Sequence, residues 1–122
     1  MSPRERRRAV VVVRDGPAHE RGWLALRTAL ALGLSGYDVS VWLEGDAVAF
    51  ALAGLGVRAW AGGEPGDDVA GLVDDIGAAV HVDAESLYGV EWDRLSLRKG
   101  VHVGVLEQLW PLYGAADLVV AP

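Results

Sequence analysis

The sequence predicts an α/β fold, a doubly wound, mainly parallel sheet of five to six strands with helices on both faces, in a single domain. Three observations predict it. Short continuous β-branched runs such as Ala9 to Val13 (AVVVV) are the mark of strands buried on both faces. Between such runs lie segments with apolar residues at helical spacing, of which Val69, Leu72, Val73 and Ile76 form the clearest stripe. The two kinds of segment alternate along 122 residues, enough for one core and too few for two.

Taken in order, the first strand Ala9 to Val13 is broken by the turn-forming Asp15-Gly16-Pro17. A helix then runs from about His19–Gly22 to Leu34 and stops at Ser35-Gly36. Its leucines cover more than one face, which predicts a contact with another subunit. Tyr37 to Glu44 is the second strand. Val39, Val41 and Leu43 on one side and Trp42 on the other all call for burial, so this strand belongs in the middle of the sheet. Asp46 is an N-cap for a helix over Ala47 to Ala53, ended by Gly54 and Gly56. Val57 to Ala61 reads as a strand, and Asp67 or Asp68 caps the helix that carries the Val69–Ile76 stripe, closed by Gly77. Strands follow at Ala78 to Asp83 (AAVHVD) and Val101 to Gly104 (VHVG), the first with a helical turn at Ala84 to Tyr88. Val105 to Tyr113 is helical with a kink or a new turn at Pro111, and Asp117 to Ala121 closes the sheet. The domain spans residues 9–122, and residues 1–8 read as a basic, flexible tail.

The apolar fraction of 52% against 23% charged places the chain among ordinary globular proteins. No apolar run reaches the ~18 residues of a membrane span, and the basic start lacks the apolar core of a signal peptide. A cytoplasmic protein without membrane contact is therefore expected. The net charge is −6 although four Arg sit in the first eight residues, so the body is more acidic still and would repel a phosphate backbone; no nucleic-acid partner is expected. There is no cysteine, which removes disulfides, thiolate metal sites and cysteine nucleophiles together.

Motifs with chemistry are few. Gly54-Leu55-Gly56-Val57-Arg58-Ala59 matches a dinucleotide fingerprint in letters only, because it follows a helix and precedes a strand, the reverse of what pyrophosphate binding needs. No P-loop or nucleophile elbow exists, and no cofactor is expected. Asp67-Asp68 and Asp74-Asp75 read as solvated or capping pairs. His81 and His102 each sit inside a Val-His-Val strand near what should be adjoining strand ends. With Asp83 they are the candidate catalytic residues. Asp15, Gly16, Glu44, Asp46 and Glu85, on the same rim, are candidates for binding a small molecule. That grouping could bind a metal or hold a His–carboxylate pair, although the spacing matches no metal-ligand motif and no metal site is assigned.

The order of these pieces resembles the DsrE/DsrF-like (TusD/TusC-like) family of sulfur-relay proteins over nearly the whole chain. The resemblance is carried by the Asp15-Gly16-Pro17 loop after a strand and by ALRTALALGLSGYDVSVWLEGDAV. It is also carried by the strand and helical turn before Gly89-Val90, and by the closing Ala116-Asp117-Leu118-Val119-Val120. It implies a small parallel α/β unit assembled into trimers or hexamers, either with copies of itself or with DsrE-like paralogues. Active members carry a cysteine about eight residues before the Gly-Val pair, which takes up sulfur as a persulfide. Here that position is His81. A nitrogen ligand cannot form a persulfide, so the resemblance implies a non-catalytic, structural or partner subunit rather than an enzyme. The alternative reading is a small-molecule or metal-binding protein, possibly an enzyme, built on the His/carboxylate rim.

Overall fold

The computed structural model describes residues 6–53, 59–88 and 96–122. Five strands form a wholly parallel sheet, β1 (Arg8–Val13), β2 (Asp38–Leu43), β4 (Ala79–Asp83), β6 (Val101–Gly104) and β7 (Leu118–Val120). Their spatial order is β6-β4-β2-β1-β7, so the strand with apolar residues on both sides occupies the centre. A second, two-stranded antiparallel pair joins β3 (Leu52–Ala53) to β5 (Ser96–Leu97), an element the sequence did not predict. Among the described residues no helix is long and apolar enough to cross a membrane.

The strand order explains an asymmetry between the two faces. From β1 to β2 and on to β4 the chain steps in one direction across the sheet, then β6 to β7 jumps back the other way. Because crossovers between parallel strands are right-handed, forward steps put their connections on one face and the return puts its helix on the other. Helix α1 (Glu20–Leu34) and α2 (Pro65–Ala70) accordingly cover the first face. There Val11, Val13, Val39, Val41, Leu43, Val80 and Val82 pack with Trp23, Leu26, Phe50 and Leu72 in the main core. Each such valine, fully removed from water, contributes about 1.5–3 kcal/mol. Among the described residues only α3 (Leu106–Ala115) serves the second face, where Val10, Val12 and Trp42 meet Leu109.

Local chemistry sets several boundaries differently from the sequence reading. β1 begins at Arg8, whose amide donates to Asp117 (2.8 Å), while the Arg7 carbonyl accepts from the Asp38 amide (2.8 Å). The segment after β2 is a 3₁₀ helix over Gly45–Ala51 whose flanking residue is Glu44, so Asp46 lies in its first turn instead of capping it. α2 starts at Pro65, not after Asp67 or Asp68, because the Glu64 side chain accepts the Gly66 amide (3.2 Å) and Pro at the first helical position needs no donor. One turn of π-helix, Gly71–Asp75, continues it. Asp68 is half-buried 3.7 Å from Arg27 of α1; burial raises its pKa, and the Arg27 charge opposes that rise. α3 runs straight through Pro111 because this residue is solvent-exposed, where the carbonyl left without a partner can be hydrated. The Gln108 side chain accepts the Val105 amide (2.8 Å) and fastens the start of α3. The expected helix end at Gly54 and Gly56, the first two residues of the Val57–Ala61 strand and the Gly89-Val90 pair lie outside the described residues; the rest of that strand is not one, since Ala59 is extended and Trp60 and Ala61 belong to a 3₁₀ turn.

Candidate functional site

The second face is only partly roofed. α3 lies over β1 and β2, and the β4–β6 half of the face carries no helix of its own among the described residues. Parallel pairing sets His81 directly opposite Trp42 on one side and His102 on the other. Strand alternation puts all three side chains on this face. The ring centres of Trp42 and His81 are 6.0 Å apart, and those of His81 and His102 are 6.3 Å apart. Trp42 is buried, His81 half-buried and His102 exposed, so the row runs from core to solvent. Gly104 continues β6 beneath Trp42; a Cβ there would sit 2.8 Å from the indole, so a larger residue could not coexist with it.

Burial lowers the pKa of His81 from its ordinary 6.5, and the nearby His102 lowers it further. The unfolded chain then binds the proton more readily than the folded one, so the histidine's contribution to stability is present above pH 6.5 and lost as pH falls toward the lower folded pKa. In chelator-containing buffer, urea midpoints of the wild type should fall on acidification below 6.5. His81→Gln, which cannot titrate, should show a shallower fall, and equal slopes would contradict the assignment.

A second group closes the C-terminal edge of the sheet. The Ser86 hydroxyl donates to the Asp83 carboxylate (2.7 Å) and its amide donates to the same oxygen (3.2 Å). The Gly45 amide in turn donates to the Ser86 hydroxyl (3.0 Å). This bond needs Gly45 in the left-handed region (φ 57°), which a side chain would resist. Ser86 therefore ties the loop after β2 to the loop after β4. Beside it, Asp83, Glu85, Tyr88, Val105, Leu106 and Glu107 line an open cavity of about 320 Å³.

Of the residues singled out from the sequence, the structure brings His81 and His102 side by side. Asp83 shares their face but is engaged by Ser86. Asp15, Gly16, Glu44 and Asp46 gather instead around the ends of β1 and β2. Glu44 faces Arg14 at 3.7 Å, and Gly16 is held against the Asp46 backbone, where a Cβ would come within 2.6 Å of the carbonyl oxygen. The Asp15 carbonyl occupies the space above Gly22 in the same way. Glu85 is exposed on the cavity wall. Among the described residues no three His, Asp or Glu side chains converge as a metal cage. Two participants escaped the sequence reading, Trp42 as the floor beside His81 and Ser86 as the latch. The Asp-x-x-Ser spacing before a helical turn was the available signal for the second.

The model of the DsrE/DsrF-like family matches residues 7–120. The chain belongs to the DsrE/DsrF-like family. The crystal structure of the ychN protein from E. coli superimposes with a TM-score of 0.81 and 25% identity, covering 96% of this chain and 99% of that one. Among curated proteins none matches the chain significantly. The resemblance read from the sequence is thus borne out in family and in fold. This DsrE/DsrF-like chain has no cysteine anywhere in its 122 residues, and His81 stands mid-strand on the open face.

Proposed function

We propose that the protein is a non-catalytic DsrE-like subunit of the cytoplasm, a structural or partner component of a trimer or hexamer that cannot itself carry a persulfide. The observation that carries this reading is the missing sulfur nucleophile, since imidazole at position 81 offers no thiolate for sulfur transfer. Assembly is supported by exposed apolar surface. Val105, Leu106 and Trp110 on and before α3, with Leu118 and Val119 on β7, are all exposed. α3 shows solvent only one charged residue, Glu107. The outer stripe of α1 is more mixed, with Glu20, Arg21, Arg27 and Thr28 among Leu24 and Leu34. The exposed apolar surface on and beside α3 supports a contact there, in addition to the one expected on α1.

Light scattering of the purified chain is expected to give an oligomer, and Trp110→Glu a monomer with an unchanged fold by circular dichroism. Incubation with polysulfide followed by desalting should leave no cyanolysable sulfur on the wild type. A clean wild-type monomer that also fails to bind a DsrE-like paralogue would defeat the subunit reading.

A further inference from the structure

We propose that His81 and His102 together form a two-histidine site for a divalent transition metal of borderline softness, Zn²⁺ being the probe of choice, on the open β4–β6 face. The strand register carries the inference. The two residues are direct partners across adjacent parallel strands, so their side chains leave the same face from backbones about 4.8 Å apart. An ion bound about 2.0–2.1 Å from one nitrogen of each ring at a tetrahedral angle places the ring centres roughly 5 Å apart. The observed 6.3 Å is about 1 Å wider, a gap that rotation of the exposed His102 side chain closes without moving the backbone.

Three further features fit. Neither imidazole takes part in a hydrogen bond among the described residues, so no existing bond has to break. His102 is exposed and His81 half-buried, so the ion's remaining positions face solvent. Imidazole nitrogens suit Zn²⁺, Ni²⁺ and Cu²⁺ and give nothing to the oxygen-seeking Mg²⁺ or Ca²⁺. Asp83, two residues along β4 on the same face, is engaged by Ser86, so among the described residues the site has two protein ligands and binds more weakly than a closed four-ligand one. The inference is independent of the subunit reading, because it requires neither assembly nor the absence of sulfur chemistry.

The test is calorimetric titration of untagged, chelator-stripped protein with ZnCl₂, with MgCl₂ as a comparison. The wild type should bind Zn²⁺ and not Mg²⁺. His81→Gln and His102→Gln should each weaken Zn²⁺ binding at least tenfold, while His19→Gln, outside the sheet, should leave it unchanged. His102 is exposed, so its variant keeps the fold and the result stays readable even if the His81 variant is unstable. No Zn²⁺ binding by the wild type, or binding that survives in His102→Gln, would overturn the proposal.

Discussion

Replacing Trp42 with alanine is expected to cost about 3–5 kcal/mol of folding stability, the range for truncating a fully buried tryptophan. Trp42 is 1% exposed near the C-terminal end of the middle strand, and it is the largest side chain of the smaller core with Val10, Val12 and Leu109. Among the described residues no helix except α3 closes over it, so the cavity left by alanine would lie under that ten-residue layer. Gly104, whose missing side chain makes room for the indole, cannot fill that space in return. Urea unfolding at fixed protein concentration measures the loss, the concentration being held because assembly adds to apparent stability. Trp42→Phe should retain more than half of the stability that alanine loses. A cost below about 1 kcal/mol for alanine would mean that the second face is not a packed core.

That tryptophan also shows how far the chain could be read from its letters. The alternation in Tyr37 to Glu44 marked a strand buried on both sides, and β2 is the central strand. Valine runs located β1, β4 and β6 for the same reason, because period-2 and β-branched signals are local. The unequal faces were not legible, since they follow from strand order and crossover handedness rather than from any local pattern. Helix starts were missed where polar residues compete. Asp46, Asp67 and Asp68 all look like caps, but Glu64 before Pro65 fixes α2, and the segment at Asp46 tightened to a 3₁₀ helix. The short β3–β5 pairing joins residues 45 apart and leaves no periodic trace in two-residue strands.

The candidate site divides along the same line. Two Val-His-Val strands were visible in the sequence, yet their pairing depends on β4 and β6 being neighbours in register. The rim carboxylates were visible too, but whether Asp83 faces an imidazole or a serine is decided by the turn after β4, where the Ser86 amide and hydroxyl both reach back. Much of the apolarity of α1 is absorbed by the first face, a split that composition alone does not show. Gly22, Trp23, Ala25, Leu26 and Ala29 all go inward.

Installing a thiol at position 81, where the resemblance read from the sequence implies a cysteine, is expected to give the largest functional change, from no reaction to a measurable one. His81→Cys should show one titratable thiol per chain where the wild type has none. Its acidity reflects two opposed effects. Burial at a half-covered position disfavours the thiolate, while a protonated His102 across the strand pair would favour it. The thiolate attacks a sulfane sulfur of inorganic polysulfide and expels a shorter polysulfide, leaving a persulfide on the protein. Cyanide then removes the outer sulfur as thiocyanate and returns the thiol. Cyanolysable sulfur after desalting should rise from nil in the wild type toward one per chain in the variant, measured with chelator present. His102→Cys is the comparison, because it presents the same group in full exposure on the same face. Partial burial should make the persulfide at position 81 the slower of the two to be stripped by dithiothreitol. A His81→Cys thiol that alkylates readily yet takes up no sulfur would show that a nucleophile at this position is not enough. The missing cysteine would then cease to support the proposed non-catalytic role.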